Sequence, residues 1–94
     1  MIIQWLDDAI HDLQLLRQYI MRENPLAADK IAKRILNAVN LLSDQPHIGK
    51  KGRVHETREL IITGTPFIIP YRVKNQKIEI LRVFHCAMQW PEKL

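Results

Sequence analysis

Hydrophobic positions in the first half of the chain repeat with a helical period. Ala9, Leu13, Leu16 and Ile20 recur at spacings of four, three and four, the signature of one helix face, and carry the pattern to about Arg22. Asp7 and Asp8 stand at its start, suited to cap and first-turn positions, and the apolar, β-prone run Ile2–Leu6 before them reads as a short strand. Asn24 then offers a second cap with Pro25 in the first turn, and Ala28, Ile31, Ile35, Ala38 and Leu42 continue the three-four spacing to about Ser43. Two helices separated by a break of two or three residues form an antiparallel hairpin whose apolar stripes need a further surface to cover.

The second half has a different pattern. After a turn-rich basic loop, QPHIGKKGRVHET, come three β-rich runs, RELIIT, PFIIPYRV and KIEILRVFH, divided by GTP and KNQK. They predict an antiparallel meander. Pro70 cannot donate a hydrogen bond between strands, so a bulge or an edge is expected around it. The whole predicts a single α+β domain over residues 1–94, with an N-terminal strand and a helical hairpin packed on one face of a small, mainly antiparallel sheet of about four strands. The reverse face is expected to stay open as a basic contact area.

Composition narrows the class. Hydrophobic residues make up 47% of the chain, which suits a folded domain. One cysteine, Cys86, excludes an intramolecular disulfide, no leader-like segment opens the chain, and no apolar run approaches the roughly 20 residues of a spanning helix, so a cytoplasmic protein without a membrane partner is expected. The net charge of +4 is uneven: residues 1–49 carry five basic against six acidic side chains, residues 50–94 nine against four. Such a field attracts phosphate backbones or an acidic protein.

The chemistry-bearing residues lie in that positive half. Lys50, Lys51, Arg53, His55 and Arg58 crowd one loop between and beyond Gly49 and Gly52, and Glu56 is its carboxylate, a general base without a second positioned acid. Arg82 and His85 interrupt the last strand. In an unbroken strand Ile78, Ile80, Arg82 and Phe84 share one face and Leu81, Val83 and His85 the other, so Arg82 and His85 point apart. Arg82 reads either as a contact residue or as the partner of Glu59, Glu79 or another carboxylate at the sheet rim. His85 reads either as a ligand-facing group or as a tie to the C-terminal segment. Cys86 alternates with His85 and is not activated by it, and the four histidines show no metal-ligand spacing. No Gly-rich phosphate loop precedes a helix, so no cofactor is expected. Trp5 and Trp90 read first as packing residues.

The motifs Gly52–Val54, Thr57–Leu60, Tyr71–Val73, Ile80–His85 and Trp90–Pro91, together with NPLAADKI and LLSDQPHIG in the helical half, resemble the RelE/ParE superfamily of type II toxin-antitoxin toxins over almost the whole chain. The resemblance implies a growth-inhibiting toxin of the plasmid-stabilisation type, neutralised in a hetero-oligomer by a cognate antitoxin. It implies two target classes. In the ParE-like reading, favoured because PFIIPY is apolar where the nuclease branch places a third-strand arginine, the toxin poisons DNA gyrase through a binding surface of Lys50, Lys51, Arg53, Arg58, Arg82, His85 and Trp90. In the alternative it is a metal-independent, ribosome-dependent mRNA endoribonuclease using Arg58, Arg72, Arg82, His85 and Glu56.

Overall fold

The computed structural model describes residues 1–87 and 89–94. Strand β1 (Ile2–Trp5) runs through Leu6 into α1 (Asp7–Glu23). The N-cap is Leu6, in extended conformation, with no side-chain cap; Asp7 and Asp8 both fall in the first turn, where they favour the positive end of the helix dipole. The cap thus lies one residue ahead of the expected Asp7. Asn24 alone separates the helices and serves both: its N–H donates to the Ile20 carbonyl, and its side chain accepts from the Ala27 N–H at 3.1 Å to open α2 (Pro25–Asn40). A single 3-10 turn, Leu41–Ser43, extends α2 to the predicted end.

Among the described residues the sheet holds six strands rather than about four. Beyond β1 they are β2 (Lys50–Lys51), β3 (Arg58–Ile61), β4 (Phe67–Lys74), β5 (Lys77–Ile80) and β6 (Phe84–His85). The order is β1-β5-β4-β3-β2, with β6 beside β4; β1 is parallel to β5 and every other pairing is antiparallel. One added strand is the short β2 in the basic loop. The other comes from the division of KIEILRVFH in two.

That division follows from Pro70. It offers no N–H, so beside it the neighbouring strand makes one bond, Leu81 N–H to the Pro70 carbonyl at 3.0 Å, then leaves the ladder and rejoins at Phe84. Tyr71 pairs with Ile80 and Ile68 with Phe84, so four steps on one strand oppose three on the other: a bulge of one residue. A one-residue slip exchanges faces. Val83, not Arg82, therefore joins Ile78 and Ile80 in the core. The expected common face of Ile80, Arg82 and Phe84 is corrected on this ground.

The main core lies between the hairpin and the sheet, where Ala9, Ile35, Val39 and Leu42 meet Leu60, Ile62, Ile69, Tyr71, Ile78, Ile80 and Val83. The reverse face is not open throughout. Ile68, Pro70 and Phe84 are buried there, and Trp90 covers Phe84 with ring centroids 4.9 Å apart. Asn75 and Gln76, both at positive φ, form the two-residue turn between β4 and β5 predicted from KNQK. Among the described residues no helix is long and apolar enough to cross a membrane.

Candidate functional site

The basic loop between the 3-10 turn and β3 is held by specific bonds. The Tyr71 hydroxyl, fully buried, donates to the Pro46 carbonyl at 2.8 Å and accepts from the Gly49 N–H at 2.9 Å. A Cβ at Gly49 would stand 2.6 Å from the tyrosine ring, so the close approach requires glycine. Burial raises the Tyr71 pKa, while the Gly49 N–H and the Arg58 charge pull against it. Arg58 clamps the same loop through Nη1, which donates to the carbonyls of His47 (3.2 Å) and Gly49 (2.8 Å). Further on, the Gly52 N–H donates to the Thr57 carbonyl and the Thr57 hydroxyl to Val54 O, closing the turn that places Glu56 at φ 60°.

Glu59 is the anchor. Its side chain is 1% exposed and accepts from the Arg53 backbone N–H (2.7 Å), Nε (3.1 Å) and Nη2 (3.2 Å), with Lys50 Nζ at 4.0 Å. Burial alone would raise its pKa; the Arg53 bonds and charge, aided by Lys50, outweigh it and hold the carboxyl below its ordinary value. Arg53 then lies over the Trp90 ring, 3.7 Å from its centroid, so carboxylate, guanidinium and indole form one connected stack reaching Phe84.

At the break between β5 and β6, Arg82 makes a bidentate pair with Asp12 of α1, Nε to Oδ2 at 2.7 Å and Nη2 to Oδ1 at 3.0 Å, and Asp12 also accepts the Val83 N–H. The Asp12 hydrogen bond is the main cause that raises the Arg82 pKa. Of the two readings of Arg82 the ion pair is the one observed, with a partner from the helix rather than Glu59 or Glu79. Arg72 pairs instead with Glu79 across β4 and β5 at 3.1 Å. His85 stacks edge-on against Phe67 (5.7 Å) and its Nδ1 accepts the Ala87 N–H, which ties the strand end to the following turn.

The five residues of the nuclease reading do not converge. Glu56 and Arg58 line a hollow with His47, Lys51 and His55; His85 lines another with Leu15, Tyr19 and Phe67; Arg72 and Arg82 line a third with Leu81, Pro91 and Lys93. The binding set is also divided. Lys50 and Arg53 gather around Glu59 and Trp90, whereas Lys51 sits directly opposite Arg58 on the alternate face, and Arg82 and His85 lie elsewhere. Lys51 facing Arg58, and Lys74 facing Lys77, put like charges in cross-strand register, an arrangement that costs stability and concentrates positive field. Sequence reasoning did not single out Asp12, and named Tyr71 only as part of a family motif. Asp12 reads as an ordinary polar helix position, and only the bulge gives it a partner 70 residues away. Among the described residues no cluster of His, Cys, Asp or Glu is placed to hold a metal ion.

Residues 3–90 match the family model for the ParE toxin of the type II toxin-antitoxin system, parDE. The chain belongs to the ParE toxin family. It is similar to the toxin-named protein Y4kP of Sinorhizobium fredii, 40% identical over 98% of this chain and 95% of that protein, and to Toxin RelE2 of Caulobacter vibrioides, 33% identical over 90% and 94%. Among solved structures it is similar to a chain of the chromosomal ParDE TA system from P. aeruginosa, with a TM-score of 0.83 and 28% identity over 90% of this chain and 95% of that one. The ParE fold, two helices on an open mixed sheet with an N-terminal strand, is thus shared with a family of type II toxins.

Proposed function

We propose that this ParE-family toxin acts by binding DNA gyrase rather than by cutting RNA, and that a cognate antitoxin neutralises it in the cytoplasm. One observation carries the choice of mechanism: the guanidinium groups that phosphodiester cleavage would need are each engaged within the fold. Arg82 is bound to Asp12, Arg72 to Glu79, and Arg58 to two backbone carbonyls. Stabilising an in-line transition state requires donors aimed at one point, with an acid and a base in reach of it. Here Glu56 and His85 line different hollows. A rigid basic loop on a stable scaffold is instead suited to recognition.

The test is a pair of assays on the purified toxin. Inhibited supercoiling, or accumulated cleaved DNA in the gyrase complex, is the expected result. Unaltered gyrase together with codon-dependent cuts in ribosome-bound mRNA would reverse it.

A further inference from the structure

We propose that the hollow of the basic loop holds a backbone phosphate of duplex DNA, through Lys51 of β2 and Arg58 of β3. The choice of gyrase-bound DNA as the occupant rests on the gyrase reading; the phosphate chemistry is read from the geometry.

Lys51 and Arg58 are direct cross-strand partners, so their side chains leave the same face of the sheet with Cβ atoms about 4.5–5.5 Å apart. Two like charges so placed repel, and neither is matched by a carboxylate. Arg58 spends Nη1 on the carbonyls of His47 and Gly49, which fixes the guanidinium and leaves its charge uncompensated; among the described residues its Nε and Nη2 have no partner. Lys51 is exposed and forms no ion pair among the described residues. The next residue along β3, Glu59, projects to the other face, where Arg53 and Lys50 occupy it. An oxyanion accepting from both cations would relieve the pair through charge-assisted bonds.

The walls of the hollow select among anions. Beside the two cations lie His47, His55 and the turn that closes on Thr57, and its apolar lining side chains are Val54 and Val73. A protein chain needs a larger apolar anchor than these. A single strand needs aromatic rings on which its bases stack, and no Phe, Tyr or Trp lines the hollow. A duplex backbone needs neither. The phosphate is held and not cut. Glu56, the lining carboxylate, is 73% exposed and lies 3.6 Å from His55 Nε2, while His85 belongs to another hollow. The Glu56 charge opposes an anion, so its removal should strengthen binding.

Full-length toxin is titrated with a fluorescent DNA duplex by anisotropy over a range of salt. Lys51→Gln should weaken binding about threefold or more and reduce the slope of log affinity against log salt by about one, the loss of one phosphate contact. Glu56→Gln should tighten it. Lys30→Gln, the same change of charge on exposed α2, should alter neither quantity. Because Lys51→Gln also removes the repulsion with Arg58, its Tm should equal or exceed the parent's, which separates lost binding from lost folding. Inorganic phosphate and the duplex should shift the same amide resonances, those from His47 to Thr57. In a supercoiling assay Lys51→Gln should require correspondingly more toxin. Parent affinity and slope for Lys51→Gln, an equal loss for Lys30→Gln, or a Tm well below the parent's would each overturn the site. Polyglutamate displacing the duplex at equal charge would assign the hollow to an acidic protein and overturn the phosphate. Gyrase inhibited equally by parent and Lys51→Gln would overturn the inference and leave the gyrase reading intact. Gyrase untouched by the parent would remove that reading, and the duplex titration then decides the phosphate site by itself.

Discussion

Replacing Asp12 by alanine is expected to cost this fold about 3 kcal/mol, the lower estimate for cutting a partly buried charge pair that also serves the backbone. Three hydrogen bonds end on its carboxylate, two from Arg82 and one from the Val83 N–H. Charge-assisted bonds contribute ~1.5–3 kcal/mol net. The Arg82 side chain is 31% exposed and re-hydrates once released, so its share belongs near the bottom of that range. Val83 is 7% exposed, and its N–H left without an acceptor adds roughly 1–2 kcal/mol. For a domain of this size about 3 kcal/mol corresponds to roughly 12–24 °C in Tm. Urea titration and thermal melts followed by circular dichroism measure it. Asp12→Asn keeps an acceptor for Val83 and should lose about half as much; Arg82→Met keeps the Val83 bond and should also lose less than Asp12→Ala. An Asp12→Ala variant within about 0.5 kcal/mol of the parent, the range of a neutral surface change, would refute the argument that this pair fastens the bulge to α1.

Other outcomes follow from the same contacts. The Glu59 carboxyl is held below its ordinary 4.5, so its contribution is fully present above that pH and is lost as the pH falls through the lower folded value; Glu59→Gln should shrink the difference in urea midpoint between pH 7 and about pH 3. Gly49→Ala drives a methyl to 2.6 Å from the Tyr71 ring and should lower stability by about 2 kcal/mol or more, read from the melting curve. Trp90→Leu removes the face that Arg53 covers at 3.7 Å, and a loss of about 1 kcal/mol is expected, with the remaining fluorescence reporting Trp5 alone.

The helical half was legible because its signals are local. Spacing gave both stripes, and Asn24-Pro25 marked the start of α2 at the residue observed. The strands were legible as runs, and the turn at Asn75-Gln76 as punctuation. What escaped was the consequence of Pro70. A missing N–H in β4 is visible in the sequence, but the bulge it permits forms in the neighbouring strand, at Leu81–Val83, and that depends on register. The side-chain partners depended on the bulge in turn. Asp12 is an unremarkable helix position until Arg82 and the Val83 N–H are turned toward it. The buried state of Glu59 likewise required the return of the chain that sets Trp90 against Arg53.

The positive field of the second half is consequently more selective than its composition. Its arginines are largely committed: Arg53, Arg72 and Arg82 to carboxylates, Arg58 to carbonyls. The lysines are less so, with Lys51 opposite Arg58 and Lys74 opposite Lys77 left in like-charged register. Pairs with a carboxylate contribute little at a distance, so the long-range attraction comes from the lysine ammonium groups and from Arg58, whose carbonyl partners leave its charge uncompensated, whereas Arg53, Arg72 and Arg82 fasten the scaffold that presents them. Lysine contacts of this kind govern how fast a partner arrives and how steeply salt slows it; the apolar surface it then covers governs how long it stays. Substituting Lys51 or Lys74 by glutamine should therefore lower the association rate with an acidic partner and leave dissociation nearly unchanged.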